Sequence, residues 1–345
     1  MAELRLEDIA KLAGVHRSTV SRVINESPYV SNEVRTRVKK VIQTTGYHPN
    51  AAARSLATQH TNVIGLVLPR SVISFFTDPF FPHLTQGIAF GCNNNNLTLS
   101  LFLVGNKEDE EKILPRISRH GLLDGILIQS GKPDESLIDR LSRSNIPSVI
   151  IGRPFNPEGI SYVDIDNISA AVKATRHLVG LGYKRIAHIT GNPDSTVSID
   201  RLQGYKTALQ NAGRAVDESL IVEGDFSEGS GYAAMMKLLP EKPDAIFAAS
   251  DIMAVGAMRA MQEVGLRVPE DVAMVGFDDV PVAGQINVQL TTIKQPITRF
   301  GMKAVDLLID LIENGTKPTR RIILDTELII RHSCGSKRMA ESVKV

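Results

Sequence analysis

The chain has 345 residues, 43% of them hydrophobic and 22% charged, with 39 basic and 38 acidic side chains giving a formal net charge of +1. That length implies about two to three domains. The composition excludes a disordered or fibrous chain, and the near-neutral charge excludes a global field drawing in nucleic acid or membrane. Two cysteines, Cys92 and Cys334, cannot build a disulfide framework, and the first residues lack the long apolar run of a leader or membrane helix. A reducing cytoplasm is the expected compartment.

The charge is unevenly spread. Residues 1–60 hold nine Lys/Arg against five Asp/Glu and none of the 11 Phe, so a small basic head precedes a large, slightly acidic body. In the head, Leu6, Ile9, Ala10 and Ala13 recur at helical spacing, and Gly14 supplies the turn that ends the helix. A second helix is expected to about Asn25, burying Val20, Val23 and Ile24. Ser31 offers an N-cap for a third, which carries Val34, Val38, Val41 and Ile42 and stops near Gly46. After Pro49, the stretch from Asn50 to Ala57 predicts one short Ala-rich helix. Its eight residues are too few to persist alone in water, because helix nucleation is costly.

The body alternates β-branched runs with helix-period segments. Strands are expected from Val63, Leu97, Asp124 and Pro147, and the alternation restarts at Arg185, Leu220, Ala245 and Val272. This βα repetition reads as two α/β halves, each with a parallel sheet covered by helices. Thr291 onward, a helix around Arg299 to Glu313, and Thr326 onward suggest that the chain returns to the first half before ending.

The first two helices permit a helix-turn-helix, in which the second helix enters the major groove while its apolar face packs on the first. Arg17, Ser18, Ser21, Arg22 and Asn25 then face outward. A surface-charged helical pair is the alternative that physics alone leaves open. The run LEDIAKLAGVHRSTVSRVIN, followed by YVSNEVRTRVKKVIQTTGYHPNAAARSLAT, resembles the head of the lactose/galactose repressor family. The resemblance continues through DPFFPHLTQGI, DRLQGYKTAL, SDIMAVGAMRAMQEVGLRVPEDVAMVGFDD and LTTIKQP, and so covers nearly the whole chain. Two departures stand out: His16 occupies the usual hydroxyl cap of the second helix, and Arg5 replaces the usual Thr before the first. Both are weak caps.

The resemblance implies an α/β protein with an N-terminal helix-turn-helix headpiece and hinge helix. A body like that of periplasmic binding proteins follows, with two doubly wound parallel subdomains. Its expected divisions are 1–48 for the head, 49–61 for the hinge and 62–345 for the body. Within the body, about 62–163 and 292–323 form subdomain one, and about 164–291 and 324–335 form subdomain two. The implied function is a repressor of carbohydrate-utilisation genes that binds a pseudopalindromic double-stranded operator as a homodimer and loses affinity when a sugar binds. Parts of the body, including the extended loop PRSVISFFTDPFF expected between the first strand and its helix, resemble the branch responding to maltose or other α-glucosides. A sugar-binding protein without a regulatory role and a corepressor-dependent regulator are the alternatives.

Arg17, Ser18 and Arg22 are the expected base readers, since Arg can fork onto guanine O6 and N7. Thr19, Ser21, Asn25, Ser31 and Asn32 are the expected phosphate contacts, which fix register without reading sequence. Within the hinge, Asn50, Ala53, Arg54 and Leu56 are assigned to the minor groove, with Leu56 matching the family's wedge leucine. An apolar linker residue is the plainer reading of Leu56.

Ligands of open α/β sheets sit beyond the carboxyl ends of the strands. That rule selects Asp78, Phe80, Arg153 and Asp166 on one side, and Asn192, Arg201, Phe226, Asp251 and Asp278 on the other. Arg201, Asp278 and Phe226 also match the family's ligand contacts by resemblance. Asp166 and Asp251 have a second reading as helix caps, and Phe80 as core. His177 and His188 lack a metal-ligand partner at useful spacing, so no metal or cofactor is expected. The chain contains no G-x-S-x-G elbow, phosphate loop, H-E-x-x-H or zinc-spaced Cys pair, and no enzyme is expected.

Overall fold

The computed structural model describes residues 4–24, 26–47, 60–118, 121–129, 140–141 and 146–336. Its contacts divide the chain into two compact units, Met1–Thr61 and Asn62–Val345.

The first unit holds α1 (Leu6–Ala13), α2 (Arg17–Ile24) and α3 (Asn32–Thr45). The first two are too short to stand alone. They persist because Ile9, Ala10, Ala13, Val20, Val23, Val38 and Tyr47 bury one shared core. Gly14 ends α1 in left-handed backbone (φ +63°), where its N–H returns to the Ala10 and Lys11 carbonyls. The weak caps are compensated locally. Asp8 accepts from the Arg5 backbone N–H at 2.8 Å, and His16 Nδ1 accepts from the Ser18 backbone N–H at 3.3 Å. An imidazole lone pair thus takes the place of the hydroxyl. Ser31 caps α3 as expected, its hydroxyl accepting from Val34 N–H at 3.4 Å. Asn25 and the hinge residues Asn50, Ala53, Arg54 and Leu56 lie outside the described residues.

The second unit begins with β1 (Val63–Leu68), α4 (Val72–Thr77), α5 (Phe80–Asn94), β2 (Thr98–Leu103), α6 (Lys107–Ile117), β3 (Gly125–Gln129), β4 (Ser148–Ile151) and β5 (Tyr162–Ile165). It continues with α7 (Asn167–Gly180), β6 (Ile186–Thr190), α8 (Thr196–Asn211), β7 (Ile221–Glu223), α9 (Glu228–Leu238), β8 (Ala245–Ala248) and α10 (Asp251–Glu263). Then come β9 (Ala273–Asp278), α11 (Val282–Gln285), β10 (Thr291–Lys294), α12 (Ile297–Asn314), β11 (Arg321–Leu324) and β12 (Glu327–Ile329).

Two six-stranded sheets result, ordered β11-β5-β4-β3-β1-β2 and β12-β10-β9-β8-β6-β7. The first is parallel throughout. In the second, β12 runs antiparallel to β10, with Thr292 opposite Ile329 and Lys294 opposite Glu327, which corrects the expectation of a purely parallel sheet. Central strands such as β1 and β8 are nearly continuous apolar runs because helices cover both faces.

The chain passes between the halves three times: from β5 to α7, from β10 to α12, and from β11 to β12. The expected breaks at 163/164 and 291/292 fall inside strands, since all of β5 pairs in the first sheet and all of β10 in the second. α12 belongs to the first half, where it packs on α5 and on β3, β4 and β5. Gly87 and Gly301 permit that approach, because a Cβ on either would collide with the other helix's backbone. The segment after β1, read from sequence as an extended loop, contains α4, capped by the Ser71 hydroxyl at Ser74 N–H, 3.2 Å away. No helix among the described residues is long and apolar enough to cross a membrane.

Candidate nucleic-acid interface and ligand cleft

On the head, the buried Val20 and Val23 turn one face of α2 inward and leave Arg17, Ser18 and Arg22 exposed, with Thr19 and Ser21 half-buried. Ser18 is already engaged, its hydroxyl lying 2.8 Å from His16 Nδ1. The Arg17 guanidinium reaches across to α1, where Nη1 donates to Glu7 Oε1 at 3.3 Å. Ser31 and Asn32 are exposed at the start of α3, the Ser31 hydroxyl spent partly on its cap. The outward face of α2 is thus a row of donors with one carboxylate beside it.

In the body, a cleft is lined by residues after the carboxyl ends of both sheets. Arg201, from α8, is its anchor and is almost fully buried. The Arg201 Nε donates to Asn167 Oδ1 at 3.0 Å and Nη1 donates to the Ala249 carbonyl at 2.5 Å. Nη1 also lies 3.6 Å from Asp278 Oδ1, and the guanidinium stacks 3.5 Å over the Phe277 ring. A cation held on several sides presents its remaining edge in a fixed direction.

Carboxylates surround it. Burial pushes Asp278 up to about 7, against the pull of Arg201, while Asp78 raises it further. The Gln295 amide donates to Asp278 Oδ1 at 2.5 Å. Burial likewise raises Asp164 to about 6, although the Arg153 backbone N–H donates to it at 2.9 Å. Asp78 is raised by burial too, and accepts from Phe80 N–H at 3.0 Å. Several perturbed carboxyls around one buried arginine in a cleft make it a candidate binding site.

Aromatic faces complete the cleft. Phe80 and Phe300 come from the first half and Phe226 from the second. Phe226 has left-handed backbone (φ +70°), and its ring lies over Gly191, where any Cβ would collide with it. Phenyl faces suit the C–H side of a sugar ring, while a guanidinium fork, carboxylates and a glutamine suit its hydroxyl pairs.

Of the nine residues selected from sequence, Asp78, Phe80, Arg201, Phe226 and Asp278 line the cleft, and four do not. Arg153 turns instead to Asp200 on α8, making a two-pronged pair of 2.7 and 3.1 Å that joins the halves. Asp166 caps α7, accepting from Ser169 N–H at 2.9 Å. Asn192 is exposed and folds its own loop by accepting from Asp194 N–H. Asp251 is wholly buried, accepting from Thr292 Oγ1 at 2.6 Å and Val280 N–H at 3.0 Å. It braces α10 against β9 and β10.

Sequence reading left out Arg70, Gln129, Asp164, Ser250 and Gln295, all of which line the cleft. Arg70 and Gln295 sit just after strands, so the strand-end rule covers them. His188 is core, stacked between Tyr205 and Phe247 with Nδ1 2.8 Å from the Phe247 carbonyl, and burial lowers its pKa to about 4. Cys92 and Cys334 are buried free thiols. Among the described residues no group of His, Cys, Asp or Glu is placed to hold a metal.

Comparison with known proteins places both units. Residues 5–50 match the model of bacterial regulatory proteins of the lacI family, and residues 175–334 match a periplasmic binding protein-like domain. The chain is 41% identical over 332 residues to the HTH-type transcriptional regulator CelR of Thermobifida fusca, covering 95% of this chain and 97% of that one. Among solved structures, a complex of transcriptional regulator CelR with cellobiose aligns with a TM-score of 0.77 at 38% identity, covering 96% of this chain and 99% of that one. A lac repressor dimer bound to operator and the anti-inducer ONPF aligns with a TM-score of 0.84 at 28% identity, covering 96% and 99%.

Proposed function

The chain belongs to the lacI family of bacterial regulatory proteins, and from that premise we propose a division of labour for a sugar-responsive DNA-binding repressor. Arg17, Ser18 and Arg22 read bases, while Thr19, Ser21, Asn25, Ser31 and Asn32 hold phosphates. Asn50, Ala53, Arg54 and Leu56 form a hinge that folds in the minor groove, with Leu56 as wedge. Two copies pair on a two-fold operator, because one head reads only a half-site. The protein works in the cytoplasm and catalyses no reaction, a reading that accords with its likeness to regulators.

The effector is a glucose disaccharide, seated between Phe80, Phe226 and Phe300 with hydroxyls on Arg201, Asp278, Asp78 and Gln295. The observation that carries this reading is the buried Arg201 held among carboxylates in a phenyl-lined cleft. Likeness to CelR puts the β-linked cellobiose ahead of the α-linked maltose suggested by the segment after β1.

Sugar lowers operator affinity in this scheme. By reciprocity, operator must weaken sugar binding by the same factor. The test is operator titration with and without cellobiose, maltose or ribose, at one salt concentration because phosphate contacts make affinity salt-dependent. Weaker operator binding with cellobiose supports the reading. Tighter binding would make the sugar a corepressor, and no response to either glucoside would remove the effector assignment.

A further inference from the structure

We propose that Glu7 is a positioning residue for DNA readout, its carboxylate holding Arg17 so that the guanidinium presents one free edge to a single guanine in each half-site. Glu7 is the second residue of α1, ten positions before Arg17, and the two side chains meet on the outer surface of the head at 3.3 Å. About half of Glu7 and two thirds of Arg17 remain exposed. An ion pair so open to water contributes little to folding.

Helix capping explains only part of it. Asp8 accepts from the Arg5 N–H at the start of α1, and Glu7 serves its own first-turn N–H, which leaves the reach to Arg17 unexplained. The Glu7 carboxylate is nevertheless kept charged, first by backbone N–H and then by Arg17, both of which lower its pKa.

An acid here carries a cost in DNA binding. The first helix of a helix-turn-helix crosses the phosphate backbone, where a bare carboxylate is repelled. Pairing with Arg17 offsets that repulsion and has a geometric consequence. Arg has five N–H donors in a rigid plane. With Nη1 on Glu7, the Nε and Nη2 edge remains for a two-pronged contact with guanine O6 and N7. A tethered arginine also has fewer alternative partners among phosphates, so Glu7 exchanges some general affinity for discrimination at one position.

The inference rests on Arg17 reading a base, and the experiment separates the two. The full chain, with Glu7→Ala, Glu7→Gln, Arg17→Ala and the double Glu7→Ala/Arg17→Ala variant, is put through selection from random DNA. Each protein is then titrated on the selected operator and on a scrambled duplex at one salt concentration. Arg17→Ala is expected to flatten one position per half-site. Glu7→Ala should reduce preference at that same position by about tenfold, the scale of a two-pronged base contact, while binding scrambled DNA as well as or better than the parent. The double variant should be no flatter than Arg17→Ala, and Glu7→Gln should fall between parent and Glu7→Ala.

The inference is overturned if Glu7→Ala leaves that position unchanged, if it flattens other positions equally, or if it loses scrambled-DNA binding as a damaged head would. An effect of Glu7→Ala that persists undiminished without Arg17 overturns it as well. An unchanged consensus for Arg17→Ala removes the base-reading assignment on which the inference depends.

Discussion

Replacing Arg201 by alanine tests how far the cleft doubles as structure. The change removes hydrogen bonds to Asn167 and to the Ala249 carbonyl, the partner of Asp278 at 3.6 Å, and the plate stacked on Phe277. Removing one member of a buried ion pair costs about 3–5 kcal/mol. A unit of this size loses roughly 2–4 °C of Tm per kcal/mol, so the expected drop is about 10 °C. The deficit should depend on pH. Asp278, pushed up to about 7, and Asp164, at about 6, hold their protons more tightly folded than unfolded. Their contribution to stability is therefore present below the unfolded value of about 3.9 and is lost as pH rises through the folded values. Arg201 favours both ionised forms, so its removal moves that loss to higher pH and deepens it. Thermal unfolding of both proteins should show the full deficit at pH 8 and a clearly smaller one at pH 5. An equal deficit at both values, or none, would refute the assignment of Arg201 as the counter-charge of these carboxyls.

Asp200→Asn, which removes the charge of the Arg153 clamp between the halves, should weaken binding of the proposed disaccharide effector by roughly fivefold, about 1 kcal/mol. Unchanged affinity in calorimetry would mean that ligand closure does not feel the clamp. Gly191→Ala should weaken it by about tenfold, since the new Cβ displaces the Phe226 ring and such overpacking costs about 1–3 kcal/mol. If affinity holds, the ring is not a sugar platform. Asp251→Ala leaves the Thr292 hydroxyl and Val280 N–H without their acceptor, so stability should fall by about 2–4 kcal/mol. Sugar affinity should stay within about twofold, and a large loss would return Asp251 to the ligand contacts.

What could be read in advance tracks how locally each feature is encoded. The head was legible because period, cap and stop signal coincide within a few residues: Leu6 to Ala13 then Gly14, Ser31 then Val34. β5 and β11 were not, being four residues each. β5 carries the buried Asp164 in an otherwise apolar run, and β11 follows Arg320 and opens on Arg321, so neither shows a clean strand pattern. In the cleft, the strand-end rule found the neighbourhood but not the direction of side chains. Asp278 ends β9 and lines the cleft, whereas Asp251, one residue past the cleft-lining Ser250, turns into the seam with β10. Arg153 failed for the same reason, because its partner Asp200 lies on the other half and leaves no trace in the local pattern. The helix α4 hid in a segment whose aromatic residues read equally well as loop.

The three passages between halves also constrain how the protein can be made. Along a growing chain, β5 emerges at Tyr162, but its sheet neighbour β11 follows only at Arg321, after nearly all of the second half. α12, which covers β3, β4 and β5, comes almost as late. For most of translation the first half lacks α12, and Leu84 and Ile88 on α5 wait for Phe300, Val305 and Leu308 to cover them. Such a surface binds non-specifically while it waits, and contacts so distant in sequence form slowly. A message cut before codon 321 would therefore leave neither half complete.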